Sequence, residues 1–379
     1  MDLSMMQPAP EEAVQKKKKI PWGMIYIAAT ILAVIIFGIV NQQFSNVFRV
    51  LGDLKPGWLI VSVLVTVGFF ILEGLEIHIL MKSQDLPVGL GSSIKLGLIG
   101  FYYSYITPSA TGGQPMQAAY LRRKNIPVGT STAVLIMKFF CFQVAFFLCS
   151  LVSFLAMLPK IQANQPGLIG FIILGLAING GSISLFGSLF LRPVLHVICR
   201  VARKLVSWIK PLREHGWDAK VDKFEADFAS YTQDFKGKRG KILETILISI
   251  PQFILQMSVI YFVFRAFGYN EIFYPEVLAV QSLLQVSVSF LPTPGASGAQ
   301  EIGFSNFFKG YFAPDDLYAA VMVWRFFTYY LVVIGGAILV VVDQFYYGKK
   351  RKLEELSDGE NEDHPVAEAA ADKEDSDHV

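Results

Sequence analysis

Residues 107–114 read TPSATGGQ and residues 293–300 read TPGASGAQ, one eight-residue frame with five positions identical. Each copy interrupts an apolar stretch. The first stretch runs over 92–107, breaks from Pro108 to Gly113 and resumes over 114–121. The second runs over 275–291, breaks from Pro292 to Gly298 and resumes over 299–311. Crossing a bilayer takes about 20 apolar residues, so these arms are too short to span alone. Pro and Gly at the joints predict broken helix pairs, which membrane depth tolerates only where protein or a cavity covers the loose backbone.

Around these two segments lie six unbroken stretches of spanning length: 22–40, 57–80, 130–158, 168–191, 242–267 and 317–342. The composition agrees. Of 379 residues 53% are apolar and 17% charged, with mean hydropathy +0.46, against roughly 45–50% and about 25% in soluble chains. The Lys16–Lys19 run leads into an apolar stretch with no small-residue cleavage site behind it, which predicts an uncleaved first span. Cys141, Cys149 and Cys199 suggest no disulfide framework.

Lys and Arg set the expected orientation. With the N-terminus inside and both broken stretches as hairpins, 24 basic residues fall on the cytoplasmic side and four (Arg49, Lys55, Lys160, Lys309) outside. Were either broken stretch a single crossing, everything after it would reverse and the bias would collapse. The first hairpin then enters from the cytoplasm and the second from outside. A second match supports two related halves: MKFF at 137–140 and WRFF at 324–327 stand at almost the same offset from the two motifs. The expected fold is an all-α polytopic membrane protein, about six spanning helices plus two re-entrant broken-helix hairpins in an inverted repeat. Such repeats, with broken helices meeting near the midplane, are a transporter architecture.

The expected domains are a cytoplasmic N-terminal tail (1–20), a transmembrane domain (21–345) and a disordered acidic cytoplasmic tail (346–379). The repeats occupy about 57–158 and 242–343. A cytoplasmic insert at 192–241 should be helical, an amphipathic surface against anionic headgroups.

Charges within spans are functional candidates. Lys138 lies about 7 Å to the cytoplasmic side of its span centre at 1.5 Å per residue, and Arg325 a similar distance to the outer side. Either can hold a lipid phosphate, Arg as a bidentate fork and Lys as a point charge. Glu73 and Glu76 share a helix face at the depth of Lys138 and are equally readable as its ion-pair partners. Glu301 is the matching acid for Arg325. Gly112, Gly113 and Gly298 precede short helical arms, where free N–H groups and bare backbone favour anions; Gln114 and Gln300 stand beside them in the repeated frame. Tyr102, Tyr103 and Tyr105 suit cation–π contact or packing. The five histidines have no metal-ligand spacing, and no Walker loop or G-x-S-x-G is present, so no cofactor, metal or ATP-driven pump is expected.

The segments from Pro108 to Arg123 and from Pro292 to Glu301 resemble the transmembrane flippase half of the bacterial lysylphosphatidylglycerol synthase/flippase (multiple peptide resistance factor) family. The shared features are G-G-[EQ]-P, here Gly112 to Pro115, and P-x-P-G-x-x-G-x-x-E, here Pro292, Pro294, Gly295, Gly298 and Glu301. The resemblance covers about 20–345. It implies a flippase moving aminoacylated phosphatidylglycerol, lysyl- or alanyl-type, to the outer leaflet of the bacterial cytoplasmic membrane and conferring resistance to cationic peptides. The chain departs from the family at Gln114, often Glu there, and at Gln117, often Arg, which leaves headgroup preference open. No aminoacyl-transferase domain accompanies the spans, so the expectation is a separate synthase for this lipid or a different lipid as cargo. Expected partners are a phospholipid substrate and membrane lipids, with a homodimer left open and no nucleic acid. The competing expectation is a transporter or membrane-embedded enzyme acting on polyprenyl-phosphate-linked glycans.

Overall fold

The structure, a computed structural model, describes residues 52–209, 211 and 216–362; of residue 236 and residues 347–362 only the backbone is described. The described chain is helical, with one isolated bridge between Lys309 and Phe312. The helices are α1 (Pro56–Lys82), α2 (Leu90–Ile106), α3 (Gly113–Arg122), α4 (Val128–Asn164), α5 (Leu168–Ser188), α6 (Arg192–Trp208), α7 (Trp217–Lys236), α8 (Arg239–Ala266), α9 (Tyr274–Val288), α10 (Ala299–Phe307), α11 (Pro314–Arg325) and α12 (Leu331–Glu362). Proline opens α1, α6, α9 and α11 at the first or second position, where its missing N–H costs nothing and its fixed φ suits the helix.

Among the described residues, five elements are long and apolar enough to span: α1, α4, α5, α8 and the run Pro314–Tyr346, formed by α11, a π-turn and α12. They coincide with five of the six expected spans. The sixth, 22–40, lies outside the described residues. In α1 the polarity is turned inside out. Ile60, Leu64, Val67 and Ile71 form an exposed stripe, while Ser62, Thr66, Glu73 and Glu76 are buried on the other side. A water-soluble helix does the reverse; apolar outside and polar inside is the arrangement that lipid favours. The chain is therefore an all-α polytopic membrane protein.

The two broken segments each fold back as a hairpin. Gln117 of α3 donates to the Leu96 carbonyl of α2 at 3.0 Å, and Gln300 of α10 donates to Gln285 of α9 at 3.0 Å. Each joint contains a single 3₁₀ turn, Pro108–Ala110 and Pro294–Ala296, and the two joints pack against each other. Equivalent positions of the repeated frame share a left-handed backbone: Ser109 and Ala110 (φ 53° each) against Gly295 (φ 57°) and Ala296 (φ 51°).

The hairpin bases lie at opposite ends of the molecule. Lys95 of α2 and Arg123, at the end of α3, pair with the buried Asp343 of α12, beside the end of α1 where Lys238 donates to the Ser83 carbonyl. At the other end Glu276 of α9 pairs with Lys160 of α4 and accepts from the Tyr311 hydroxyl. There the Lys55 N–H meets the Ala266 carbonyl at 3.1 Å.

The insert is helical as α6 and α7, held together by Arg203 against Asp222 (2.7 Å) and Glu225 (2.9 Å) and by His196 against Glu225 (2.8 Å). Apolar side chains such as Val197, Val201, Leu205 and Trp208 stay exposed on α6. Of the tail expected to be disordered from 346 on, the described backbone is helical to Glu362, and residues 363–379 lie outside the described residues. Lys349 to Glu355 is dense in Lys, Arg, Leu and Glu, strong helix formers that prolong a helix already nucleated by the span.

Candidate functional site

A cavity of about 390 Å³ lies between the two hairpin joints, within the range of about 300–1,000 Å³ that suits small ligands. The first hairpin contributes Ser104, Tyr105, Ser109 and Ala110, and the second contributes Gln281, Gln285, Gly295, Ala296 and Gln300. Gln256 of α8, with Trp324, Arg325 and Thr328 from the last span, completes the wall. Ten of the eighteen lining residues carry a hydroxyl or a carboxamide, groups that both donate and accept, among apolar neighbours such as Met257, Phe290 and Leu291. The oxygens of Gln281 and Gln300 are buried and accept no hydrogen bond.

Arg325 is 4% exposed and is the cavity's cation. Its Nη2 donates to Ser297 Oγ at 2.9 Å and to the Gly295 carbonyl at 3.3 Å, and its Nε lies 2.7 Å from Glu301 Oε1. The guanidinium carbon stands 4.5 Å from the Tyr329 ring centroid. Tyr329 in turn faces Tyr105 across the joints (centroids 5.3 Å apart) and donates to its carbonyl at 3.3 Å. A π-turn, Phe326–Tyr330, follows Arg325 directly. Such insertions recur at functional sites because they re-aim side chains from a continuing helix.

Lys138 sits in a different environment. It pairs with Glu73 and lies 3.6 Å from Glu76 Oε2 and 5.0 Å from the Phe142 ring centroid. Gln252 donates to Glu73 at 2.6 Å. Lys138, Glu73, Glu76 and Gln252 are all buried, and none of them lines the cavity. The structure thus joins Glu73, Glu76 and Lys138 in one closed cluster, and Arg325, Glu301 and Gln300 around the cavity.

The expected backbone anion sites are partly occupied from within. The Gly112 N–H donates to Thr107 Oγ1 at 2.9 Å. Gly113 packs on the Gly100 carbonyl and the Ser104 side chain. The Gly298 N–H donates to Glu301 Oε2 at 2.6 Å, one half of a capping box. Gln114 is half-buried and outside the cavity wall. Of the three tyrosines, Tyr105 reaches the cavity and Tyr102 packs beside Gly336. Arg265 stacks 4.9 Å from the Trp58 ring and donates to the Asn270 carbonyl at 3.0 Å.

Sequence reasoning passed over the glutamines. Gln252 and Gln256 on α8, and Gln281 and Gln285 on α9, are two pairs spaced four apart in apolar helices, hence on one face each. That spacing was available as a signal. It is a weaker signal than a charge within a span, because an uncharged carboxamide costs less to bury. Asp343, at the end of its span, was missed for its position at the edge.

A family model described as the lysylphosphatidylglycerol synthase TM region matches residues 24–336. A UPF0104 membrane protein of Archaeoglobus fulgidus is 24% identical over 295 residues, 73% of this chain and 84% of the relative. A UPF0104 membrane protein of Methanothermobacter thermautotrophicus is 24% identical over 293 residues, 73% of this chain and 81% of the relative. The family match takes in both hairpins, the cavity and the closed cluster. The chain belongs to the family of the lysylphosphatidylglycerol synthase transmembrane region.

Proposed function

We propose that this protein is a lipid flippase whose two hairpins are re-entrant, belong to halves related as an inverted repeat, and pass a phospholipid headgroup between their tips. One observation carries the reading: a buried guanidinium faces a cavity of about 390 Å³, with hydroxyls and carboxamides in its wall, where two broken helices meet. Broken helices from opposite membrane faces give alternating access by exchanging the conformations of the halves. The basic-residue bias orients the insert and both termini towards the cytoplasm of a bacterial cell, so the lipid moves from the inner to the outer leaflet. The acyl chains stay in the bilayer while the headgroup crosses.

The family's description points to aminoacylated phosphatidylglycerol made by a separate synthase, and the chain acts as a transporter, not an enzyme. The phosphate approaches Arg325, whose Nη1 is not engaged by the contacts described above, and the amine takes the carboxamide oxygens of Gln281 and Gln300. Arg325 is balanced in charge by Glu301, which stands behind the lining, and no carboxylate is among the lining residues. Reference pKa values make alanyl-phosphatidylglycerol about neutral and the lysyl lipid about +1. The site therefore favours the alanyl-type lipid. The hydroxyl and carboxamide lining also supports a second reading, a polyprenyl-phosphate-linked glycan, since sugars present the same mixed donors and acceptors.

A lipid-resolved assay in proteoliposomes tests the proposal. Purified protein should move alanyl-phosphatidylglycerol across the bilayer faster than protein-free vesicles, and Arg325→Ala should not. Movement confined to a polyprenyl-phosphate sugar selects the second reading; no movement of any of these lipids rejects both. Cysteine labelling at Ser109 and Ala296 from each side tests the inverted arrangement, which is lost if both label from one side only.

A further inference from the structure

The closed cluster around Lys138 has more acceptors than protons. Two carboxylates, Glu73 and Glu76, face one ammonium, Lys138. Lys138 is held by Glu73, and Gln252 gives its amide N–H to the same carboxylate. Glu76 is 0% exposed, and neither of its oxygens accepts a hydrogen bond; the Gln252 oxygen is likewise buried and unpartnered. These three atoms without a hydrogen bond are all acceptors, and only Glu76 Oε2 has a cation near it, the Lys138 ammonium at 3.6 Å already paired with Glu73. The titratable groups facing Glu76 are Glu73 on α1 and Lys138 and Cys141 on α4. From α8 it meets Ser249, whose hydroxyl donates to the Thr245 carbonyl at 3.0 Å. Among the described residues no second cation reaches it.

Fully ionised, the cluster carries a net −1 inside the membrane. A buried carboxylate without its own cation neutralises instead of paying the solvation penalty. The equivalent station at Arg325 and Glu301 has one charge of each sign, so the imbalance belongs to one half alone.

We propose that Glu76 is a proton-binding site, and that proton exchange there couples lipid passage to the transmembrane proton gradient. Coupling to lipid rests on the flippase reading; the proton site does not. Binding forms one O–H bond on the Glu76 carboxyl, with the proton taken from water, and no electrons are transferred. The closed arrangement forms only with the proton in place, because closure removes water from the cluster. Opening towards one face hydrates Glu76 and releases the proton to water on that face. A two-state protein whose closed state binds the proton more tightly is biased by proton activity.

Infrared spectroscopy of the wild-type protein in vesicles at neutral pH should show a carboxylic-acid C=O band that Glu76→Gln removes. Gln keeps the volume and mimics the neutral carboxyl, so the variant should keep the wild-type melting temperature. No acid band in the wild type, or a band unchanged in Glu76→Gln, overturns the site. For coupling, vesicles of phosphatidylglycerol containing alanyl-phosphatidylglycerol are given a gradient of one pH unit. With one proton per lipid the gradient supports about a tenfold transbilayer ratio in the wild type, and a ratio of one in Glu76→Gln. Gradient-driven accumulation surviving in the variant, or driven by Na⁺ instead, overturns the coupling. Lipid movement indifferent to pH in the wild type overturns coupling and leaves the flippase reading standing. An acid band without movement of any lipid upholds the proton site and rejects the flippase.

Discussion

Lys138 and Arg325 occupy matching places in two similar sequence segments, yet one is held by acids away from the cavity and the other lines it. Lys138 is flanked by two acids, one of them also held by Gln252, and is not among the residues that line the cavity. Arg325 has one acid, which also caps a helix, and its remaining partners belong to the hairpin joint itself. The number of carboxylates decides the difference. Glu73 and Glu76 stand one turn apart and close around the ammonium from α1; the second half offers only Glu301, whose other oxygen is committed to Gly298. A transport cycle in which the halves exchange conformations would open the first station and close the second.

The largest expected effect separates the stations by what each loses. Lys138→Ala leaves the buried Glu73 carboxylate without its cation, which costs about 3–5 kcal/mol. Its melting temperature in detergent should fall steeply, and adding Glu73→Gln should recover much of the loss. An unchanged melting temperature would mean that the cluster is not closed as described. Arg325→Ala should instead retain the fold while transport drops roughly 10–100-fold, the worth of a charged hydrogen bond of about 1.5–3 kcal/mol. Arg325→Lys should be intermediate, because Lys keeps the charge without the fork. Equal rates for all three would move the headgroup away from this cation.

Two smaller tests address the joints. At Gly295 a side chain would overlap the Tyr329 ring, on a backbone at φ 57°. Gly295→Ala should cost at least about 1–2 kcal/mol from the left-handed conformation alone and should disturb Arg325 through Tyr329. At the matching position Ser109→Gly removes that strain and should stabilise by up to about 1 kcal/mol. Thermal melts of the two variants should therefore shift in opposite directions; shifts of one sign would show that the joints are not conformationally equivalent.

The smallest effect lies outside the spans. Burial raises the affinity of Glu225 for its proton, but His196 and Arg203 outweigh it and hold the carboxyl below its ordinary range. Its contribution is thus present above the ordinary carboxylate pKa and is lost as pH falls through the lowered value. Amide exchange in α7 should accelerate, relative to the spans, as pH falls through the acid range. A uniform response would show that the insert is no looser than the rest.

Much was legible in the sequence. Span length, the Pro- and Gly-broken arms and the repeated frame are local properties, and lipid enforces them because every backbone polar group within it needs a partner. From them followed the five described spans, the two hairpins and the membrane class. The local pattern at 349–355, which has the composition of a helix, was outweighed by the acidic residues beyond it. Residue type also marked Glu73, Glu76, Lys138, Glu301 and Arg325 as the charges to explain. Which of them meet was decided by tertiary structure. Lys138 and Glu73 are 65 positions apart, and Glu73 and Gln252 are 179 apart. Their depths in separate spans were readable, but the rotation of each helix about its axis was not. That rotation, set by packing among α1, α4 and α8, turns one cation into a closed cluster and leaves the other facing a cavity.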